Sequence, residues 1–219
     1  MLFRQSDCLA VALGKRDKYT EVHCDRVEML CLQLGVRCNL SASQLVRLRI
    51  AARLHDVGKI GIPDHILFKQ GRLTPDELVV MRTHSVLGQD ICNALPYKDA
   101  ARVSRIIRHH HESFNGSGYP DGLSGDQIPF CSRIISLADS YDAMLTTRPY
   151  QRARSHCEVM DVMRQECGKK SDPSLFALFE QLVDASYSRL GIRARKGMLP
   201  AGISGITTRR RLPNDSSLS

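Results

Sequence analysis

Apolar residues recur three and four positions apart through most of this chain. Val27, Leu30 and Leu34 share one face of a predicted helix over 22–34, and Gly35 follows as a stop. Similar spacing predicts helices over 45–54 and at about 99–111 and 130–146. No pair of alternating, strand-like runs flanks a hairpin turn. The pattern therefore predicts an all-α fold.

Polar residues ahead of these runs mark where helices begin. Capping-box spacing is present at Ser41/Gln44, Thr74/Glu77 and Ser155/Glu158. Pro75 is suited to the first position of a helix that we expect to run to about Ala94. The helix begun at Ser155 should end before Gly168. Asp172-Pro173 opens a last helix, predicted to end at Gly191.

Three stretches interrupt the helical pattern, at 56–74, 112–129 and 146–155. The first two are rich in glycine and proline, which favour turns. Each stretch adjoins residues that are candidates for binding a metal or a substrate, and loops on a rigid scaffold often carry binding groups. From about Gly197 the chain is basic and rich in Gly, Ser, Thr and Pro. We therefore expect one domain over 1–192 and a flexible basic tail over 193–219.

Composition narrows the class of protein. The 219 residues are 42% apolar and 25% charged, as in ordinary globular proteins. No apolar run approaches the ~18 residues of a membrane-spanning helix, and the N-terminus lacks the pattern of a signal peptide. The eight cysteines are irregularly spaced and include no C-x-x-C. We therefore expect reduced thiols and a cytoplasmic location.

The formal net charge of +8 is unevenly distributed. Residues 193–219 carry +5 of it, which leaves +3 for residues 1–192. A single-sign cluster at a terminus is usually a solvated tail. We therefore expect no DNA or RNA partner.

Histidines and aspartates spread over half the chain form a pattern typical of metal ligands. The set comprises His23, His55, Asp56, His84, His110, His111 and Asp139. Imidazole and carboxylate groups bind first-row divalent metals, and seven ligands exceed the needs of one ion. Two metals a few ångströms apart are the usual device for displacing a leaving oxygen at phosphorus. The set indicates a metal-dependent phosphohydrolase.

Two basic residues are candidates for contacting an anionic substrate. Lys59 follows His55-Asp56 on a glycine-containing turn, where a lysine beside metal cations is disfavoured unless an anion also binds. We interpret it as a phosphate contact or a leaving-group acid. The guanidinium of Arg148, next to a proline, suits a phosphate or a guanine edge.

Two acidic residues are candidates for supporting the ligands. Asp142 lies one helical turn after Asp139, and carboxylates often orient ligand histidines. Glu112 directly follows the paired histidines and is assigned the same supporting role. We assign no metal to the remaining histidines, which are His65, His109 and His156.

These residues lie in motifs that resemble the HD-GYP family, metal-dependent phosphodiesterases of the bacterial messenger cyclic di-GMP. The resemblance covers about residues 10–185. The matching blocks are Arg16-Asp-Lys-Tyr-Thr-Glu-Val-His23, Leu54-His-Asp-Val-Gly-Lys-Ile-Gly-Ile-Pro63, His84 with Gly88, Gly118-Tyr119-Pro120 through Leu123, Ala138-Asp-Ser-Tyr-Asp-Ala143 and Arg148-Pro-Tyr150. The family fold is an HD-type helical bundle with a glycine-rich GYP loop.

The resemblance implies a role for each candidate. The seven histidines and aspartates are metal ligands, and Asp56 bridges two ions and positions the attacking hydroxide. Lys59 contacts the scissile phosphate, while Arg148, Gly118 and Tyr119 bind the dinucleotide. The implied reaction converts cyclic di-GMP to linear pGpG or GMP. Fe or Mn is the expected metal, with Zn or Ni as alternatives. The GYP loop is also where signalling-protein partners would bind; the sequence indicates no oligomeric state.

Two departures from the family pattern keep alternatives open. Members with three metals carry a glutamate where this chain has Tyr19, so we expect two metals. Gln151 replaces a usual Arg or Lys, so a phosphate contact is lost unless Arg152 supplies it. One alternative is a catalytically weak module that senses the messenger, against which the complete ligand set argues. The other is a broader HD phosphohydrolase acting on mononucleotides, against which the GYP loop argues.

Overall fold

The computed structural model describes residues 2–146 and 153–189, with the backbone alone at 2–5, 18, 19, 21, 188 and 189. The helices are α1 Leu2–Arg16, α2 Lys18–Arg37, α3 Ala42–Leu54, α4 Asp64–Leu67, α5 Pro75–Arg82, α6 His84–Asn93, α7 Ala100–Arg108, α8 Phe130–Leu145, α9 His156–Glu166 and α10 Pro173–Arg189. Short 3-10 turns cover Val57–Gly61 and Gly125–Gln127. Over these ranges the chain has isolated β-bridges but no strand, so the all-α prediction is confirmed.

The predicted capping boxes are present. At the start of α3 the Ser41 amide donates to Gln44 Oε1 at 2.9 Å, and the Gln44 amide donates back to Ser41 Oγ at 3.4 Å. The same reciprocal pair opens α5 and α9. Because each box satisfies helix N–H groups that lack a partner within the helix, it fixes where the helix begins.

The helix predicted from Thr74 to about Ala94 is wrong in its extent. The chain forms two helices that meet at Thr83, whose hydroxyl donates to the Val80 carbonyl at 2.7 Å. His84 therefore begins α6 instead of lying inside a longer helix. The apolar spacing could not reveal this break, because Thr83 closes the first helix through a local side-chain bond.

The other predicted helix boundaries lie closer to those in the structure. The helix predicted at 22–34 extends over Lys18–Arg37, and the one predicted to 111 ends at Arg108. No helix was predicted at α1, and the short α4 lies within the stretch 56–74 that was predicted to interrupt the helices. The last helix is described to Arg189, so its predicted end and the predicted basic tail lie outside the described residues.

The core lies where α2, α3 and α8 pack together, with α7 and α10 against them. Its fully buried side chains include Val27, Leu34, Leu48, Ile134 and Phe179. Burying each such side chain contributes roughly 1.5–3 kcal/mol, which makes this core the rigid base for the residues at the helix ends. Among the described residues no helix is long and apolar enough to cross a membrane.

A close backbone approach joins the 3-10 turn to α6. A Cβ atom added at Gly58 would overlap the His84 carbonyl and lie 2.5 Å from the Gly88 nitrogen. A Cβ at Gly61, in the same turn, would meet only the end of the flexible Leu87 side chain, at 2.9 Å. The first glycine is therefore needed for this packing and the second is not.

We predict that Gly58→Ala lowers the free energy of unfolding by more than about 3 kcal/mol, because backbone atoms cannot move aside cheaply. Gly61→Ala is the matched control and should cost less than about 1 kcal/mol, since Leu87 can change rotamer. Urea denaturation of both variants measures the difference. Equal losses would contradict the close approach at Gly58.

Candidate metal centre

Five helices bring the seven candidate ligands to one place. His23 lies on α2, His55 and Asp56 follow α3, His84 begins α6, His110 and His111 follow α7, and Asp139 lies on α8. Neighbouring imidazole rings in this set have centroids 3.9–5.4 Å apart. Most of the side chains are buried. Residues far apart in sequence thus form one compact cluster.

A repeated hydrogen bond orients three of the histidines. Nδ1 of His55, His84 and His110 each lies 2.6–2.8 Å from the carbonyl oxygen three residues earlier. A carbonyl only accepts, so Nδ1 must carry the proton and donate it. Nε2 of each ring is therefore left with a lone pair, which is the form that binds a metal.

The seven residues form two groups with Asp56 between them. His84, His110 and His111 make one group, and His23, His55 and Asp139 make the other, each with its ligand atoms within 4.8 Å of one another. Asp56 Oδ1 lies 3.6 Å from His84 Nε2 in the first group. Asp56 Oδ2 lies 3.4 Å from His55 Nε2 in the second. One carboxylate thus faces both groups, as a bridging ligand does.

The donor atoms fit cations. Nε2 of His84 and Nε2 of His110 lie 3.5 Å apart, and since both rings carry their proton on Nδ1, two lone pairs face each other. His55 Nε2 is buried and has no hydrogen-bond partner. Buried polar atoms in proteins almost always have a partner. Divalent metals, one in each group, would supply partners for these three nitrogens.

Electrostatics keep His110, His111 and Asp56 in the protonation states that bind a metal. Burial lowers the pKa of His110 to about 3, helped by His55 and His84, and burial also holds the pKa of His111 well below its usual range. For Asp56, burial alone would raise the pKa, but Lys59 and the nearby imidazoles outweigh it and hold the pKa well below its usual range. Neutral imidazoles and an ionised carboxylate are what a metal requires.

His23 is held from both sides by carboxylates. Its Nδ1 donates to Asp142 Oδ2 at 2.7 Å, and its Nε2 lies 3.1 Å from Asp139 Oδ1. Asp142 in turn accepts from Arg26 Nε at 2.5 Å and from Arg26 Nη2 at 2.8 Å. Arg26 therefore fixes Asp142, which sets the tautomer and the orientation of His23.

Comparison with known proteins identifies the fold around this centre. A family model described as an HD domain matches residues 5–175 of the chain. The chain belongs to the HD domain family. It is 36% identical over 165 residues to the cyclic di-GMP phosphodiesterase response regulator RpfG of Xanthomonas campestris pv. campestris, an alignment that covers 75% of this chain and 44% of RpfG.

A second relative covers more of the chain. A Thermotoga maritima protein named cyclic di-GMP phosphodiesterase is 33% identical over 216 residues, which is 94% of this chain and 59% of that protein. The chain thus spans about half the length of the curated relatives it matches. The solved structure of Bd1817, an HDG"Y"P protein from Bdellovibrio bacteriovorus, has the same fold, with a TM-score of 0.62 at 21% identity over 77% of this chain and 53% of that one. The predicted resemblance to HD-GYP proteins is confirmed.

Lys59 lies at the edge of this HD-domain centre. Its Nζ is 2.7 Å from Asp56 Oδ2, and its side chain is 22% exposed. The 3-10 turn after α3 brings Lys59 back over Asp56, three residues earlier. The ammonium group thus lies between the buried carboxylate and solvent.

The predicted GYP loop folds against the centre. The Tyr119 ring stacks on the His111 ring with centroids 4.9 Å apart, and the Arg82 guanidinium lies over Tyr119, 5.1 Å from its centroid. A Cβ at Gly118 would lie 2.5 Å from Glu112 Cα, so the close approach requires glycine. The loop therefore packs directly on one of the candidate ligands.

Glu112 was expected to support a ligand histidine, but its hydrogen bonds hold the GYP loop instead. Its two carboxylate oxygens accept from the amides of Asp121 and Leu123, at 2.8 and 3.1 Å. Asp121 also accepts from Arg108 Nε at 2.7 Å and contacts His109 Nε2 at 2.8 Å. His109, Glu112 and Asp121 are close enough for a metal, but their hydrogen-bonding groups are used to fold the loop.

Some predicted site residues lie outside the described residues. They are Arg148, Gln151 and Arg152, together with the side chain of Tyr19. Of the histidines not assigned to metal, His65 is exposed, and His156 contacts Tyr141 and Asp184.

Sequence reasoning missed two residues beside the centre, Cys24 and Arg26. Cys24 lies with His55 and Asp56 in a third group of possible ligands. The place of Arg26 could have been predicted from the sequence, because Arg26 follows His23 by three residues and therefore lies on the same helix face. The place of Cys24 could not, since adjacent residues on a helix diverge by about 100°.

His23 links stability to pH in the metal-free protein. Burial alone lowers its pKa, but the hydrogen bonds to Asp139 and Asp142 outweigh burial and raise the pKa to about 9 from the ordinary 6.5. Protonated His23 thus stabilises the fold fully below about pH 6.5, and that contribution is lost as the pH rises to about 9.

We predict that the melting temperature of the chelator-treated protein falls across this alkaline range, and that His23→Gln flattens the fall. His65→Gln alters an exposed histidine outside the centre and should keep the wild-type slope. Differential scanning calorimetry from pH 6 to pH 9 measures all three proteins. An unchanged slope in His23→Gln would argue against this coupling.

Proposed function

We propose that this chain is a metal-dependent phosphodiesterase that hydrolyses a cyclic dinucleotide, with cyclic di-GMP as the first candidate substrate. The observation that carries the proposal is Asp56, whose two oxygens face two separate groups of imidazole ligands. Paired metals bridged by a carboxylate are a recurring device for cleaving phosphate esters. Both curated relatives described above are named cyclic di-GMP phosphodiesterases.

Two divalent ions would occupy the centre. One would be held by His84, His110 and His111, the other by His23, His55 and Asp139, with Asp56 shared. Nitrogen and oxygen donors of this kind suit Fe or Mn, and Zn or Ni can also bind them. When bound, such ions supply Lewis-acid stabilisation of charge on the phosphate oxygens and lower the pKa of water.

The chain's own residues would bind the substrate and transfer the proton. Lys59 Nζ, at the solvent edge of Asp56, is positioned to contact the scissile phosphate and to donate a proton to the leaving ribose oxygen. Arg26 and Asp142 keep His23 oriented. Tyr119 covers His111 at one side, and Arg148 would hold the dinucleotide. The products would be linear pGpG, or GMP if both bonds are cut.

We also propose that the protein is located in the cytoplasm. All eight cysteines are free thiols, which fits the reducing cytoplasm in which cyclic dinucleotides act as messengers.

Turnover tests the proposal against its two alternatives. Protein loaded with Fe²⁺ or Mn²⁺ under anaerobic conditions is incubated with cyclic di-GMP, 3'3'-cyclic GMP-AMP, cyclic di-AMP and a nucleoside monophosphate, and products are separated by chromatography. We expect loss of cyclic di-GMP with formation of pGpG. Tight binding of cyclic di-GMP without turnover would favour the sensing module, and faster release of phosphate from the mononucleotide would favour the broader phosphohydrolase.

We predict two metal ions per chain. The seven ligands form two groups around one bridging carboxylate, and the position used by a third metal in the family holds Tyr19, whose phenol is a poor ligand at neutral pH. Elemental analysis of metal-loaded, gel-filtered protein measures the ratio. A reproducible value near one or three would contradict the assignment.

A pair of variants separates metal binding from chemistry. Asp56→Asn should lose turnover by orders of magnitude together with metal, since a neutral amide cannot bridge two cations. Lys59→Ala should keep both metals yet turn over roughly 100-fold more slowly, the size expected for loss of a proton donor. Lys98→Ala, which changes an exposed lysine elsewhere, should behave as wild type. Full activity in Lys59→Ala would show that its role is wrong.

A further inference from the structure

Cys24 places a thiol beside the candidate metal centre. The side chain is 4% exposed, on α2 next to His23. Its Sγ, one ring nitrogen of His55 and one carboxylate oxygen of Asp56 all lie within 4.8 Å of one another. Ligands of one Zn²⁺ ion lie about 2.0–2.3 Å from it and therefore within about 4.6 Å of one another, which is close to the spacing of these three atoms.

A second observation points to a cation at this place. His55 Nε2 is buried and has no hydrogen-bond partner, while Nδ1 of the same ring is committed to the Ala52 carbonyl at 2.8 Å. The unpartnered nitrogen carries a lone pair. A cation shared with the thiolate and with Asp56 would satisfy it.

The other buried cysteine of α2 has a different setting. Cys31 lies two helical turns after Cys24, is fully buried and belongs to the hydrophobic core. It is absent from the groups of possible ligands found among the described residues. A buried free cysteine usually behaves as a small apolar side chain, and Cys31 fits that description. Cys24 differs because a ring nitrogen of His55 and a carboxylate oxygen of Asp56 lie within 4.8 Å of its sulfur.

We propose that Cys24 is a thiolate ligand that biases one side of the centre toward thiophilic metals. This inference rests on the proposed function, since it assumes that His55 and Asp56 bind metal. Soft thiolate ligands select Zn²⁺ and its heavier analogue Cd²⁺, whereas carboxylates and water suit Mn²⁺. His55 belongs to both the Cys24 group and the group of His23 and Asp139, and Asp56 lies beside that second group. An ion drawn to sulfur therefore competes with one held by nitrogen and oxygen alone.

Cobalt spectroscopy tests the sulfur ligand without relying on activity. Visible ligand-field bands together with elemental analysis measure Co²⁺ bound to the centre, and a thiolate ligand adds a sulfur-to-cobalt charge-transfer band in the near ultraviolet. We expect both kinds of band in the wild type. Cys24→Ser should lose the charge-transfer band and keep the visible bands, and Cys31→Ser, the matched control, should keep both.

A competition experiment measures the consequence. Chelator-buffered titrations give the ratio of Cd²⁺ to Mn²⁺ affinity, and Cys24→Ser should lower this ratio by on the order of tenfold or more. Cys24→Ala provides a second variant in case serine disturbs folding, and the wild-type spectrum is informative without either.

The outcomes separate this inference from the proposed function. A charge-transfer band that is absent from the wild type, or that persists in Cys24→Ser, overturns the role of Cys24 while the visible bands uphold the metal centre. An affinity ratio unchanged in Cys24→Ser also overturns it. Failure of the wild type to bind Co²⁺ at all would contradict the proposed function and this inference with it.

Discussion

The centre depends on one repeated interaction, the hydrogen bond from a histidine Nδ1 to the carbonyl three residues earlier. It occurs at His55, His84 and His110, each at or just beyond the end or start of a helix. Because the carbonyl accepts only, the bond determines which nitrogen keeps a lone pair and where it points. The Nε2 atoms of the three rings thus point into the same buried space, and the backbone alone orients the rings.

That arrangement is unfavourable unless metal ions are bound. Neutral imidazoles face one another, and the Asp56 carboxylate is buried between them with Lys59 at its outer side. Removing an isolated carboxylate from water costs several kcal/mol, so a buried one needs cations or donors around it. The packed core of α2, α3 and α8 must therefore hold the groups in place. Further hydrogen bonds support the groups around the centre, since Arg26 fixes Asp142 and Glu112 holds the GYP loop.

Local patterns in the sequence were sufficient for much of the fold. The capping boxes at Ser41, Thr74 and Ser155 are short-range hydrogen-bond motifs, and they appear where they were predicted. The division of one predicted helix into α5 and α6 was missed, because Thr83 ends the first helix through a bond that competes with helical hydrogen bonding only in this context. For the same reason the position of His84 at a helix start was not foreseen.

For the centre, the sequence by itself determined the kind of chemistry, since seven imidazole and carboxylate side chains in HD-GYP motifs indicate metal ligands. Tertiary structure alone decided how they divide into two groups, that Asp56 faces both, and that Cys24 and Arg26 lie beside them. The physical reason is distance along the chain. A motif records neighbours within a few residues, whereas these contacts arise from the packing of five helices whose relative positions are set by the shared core.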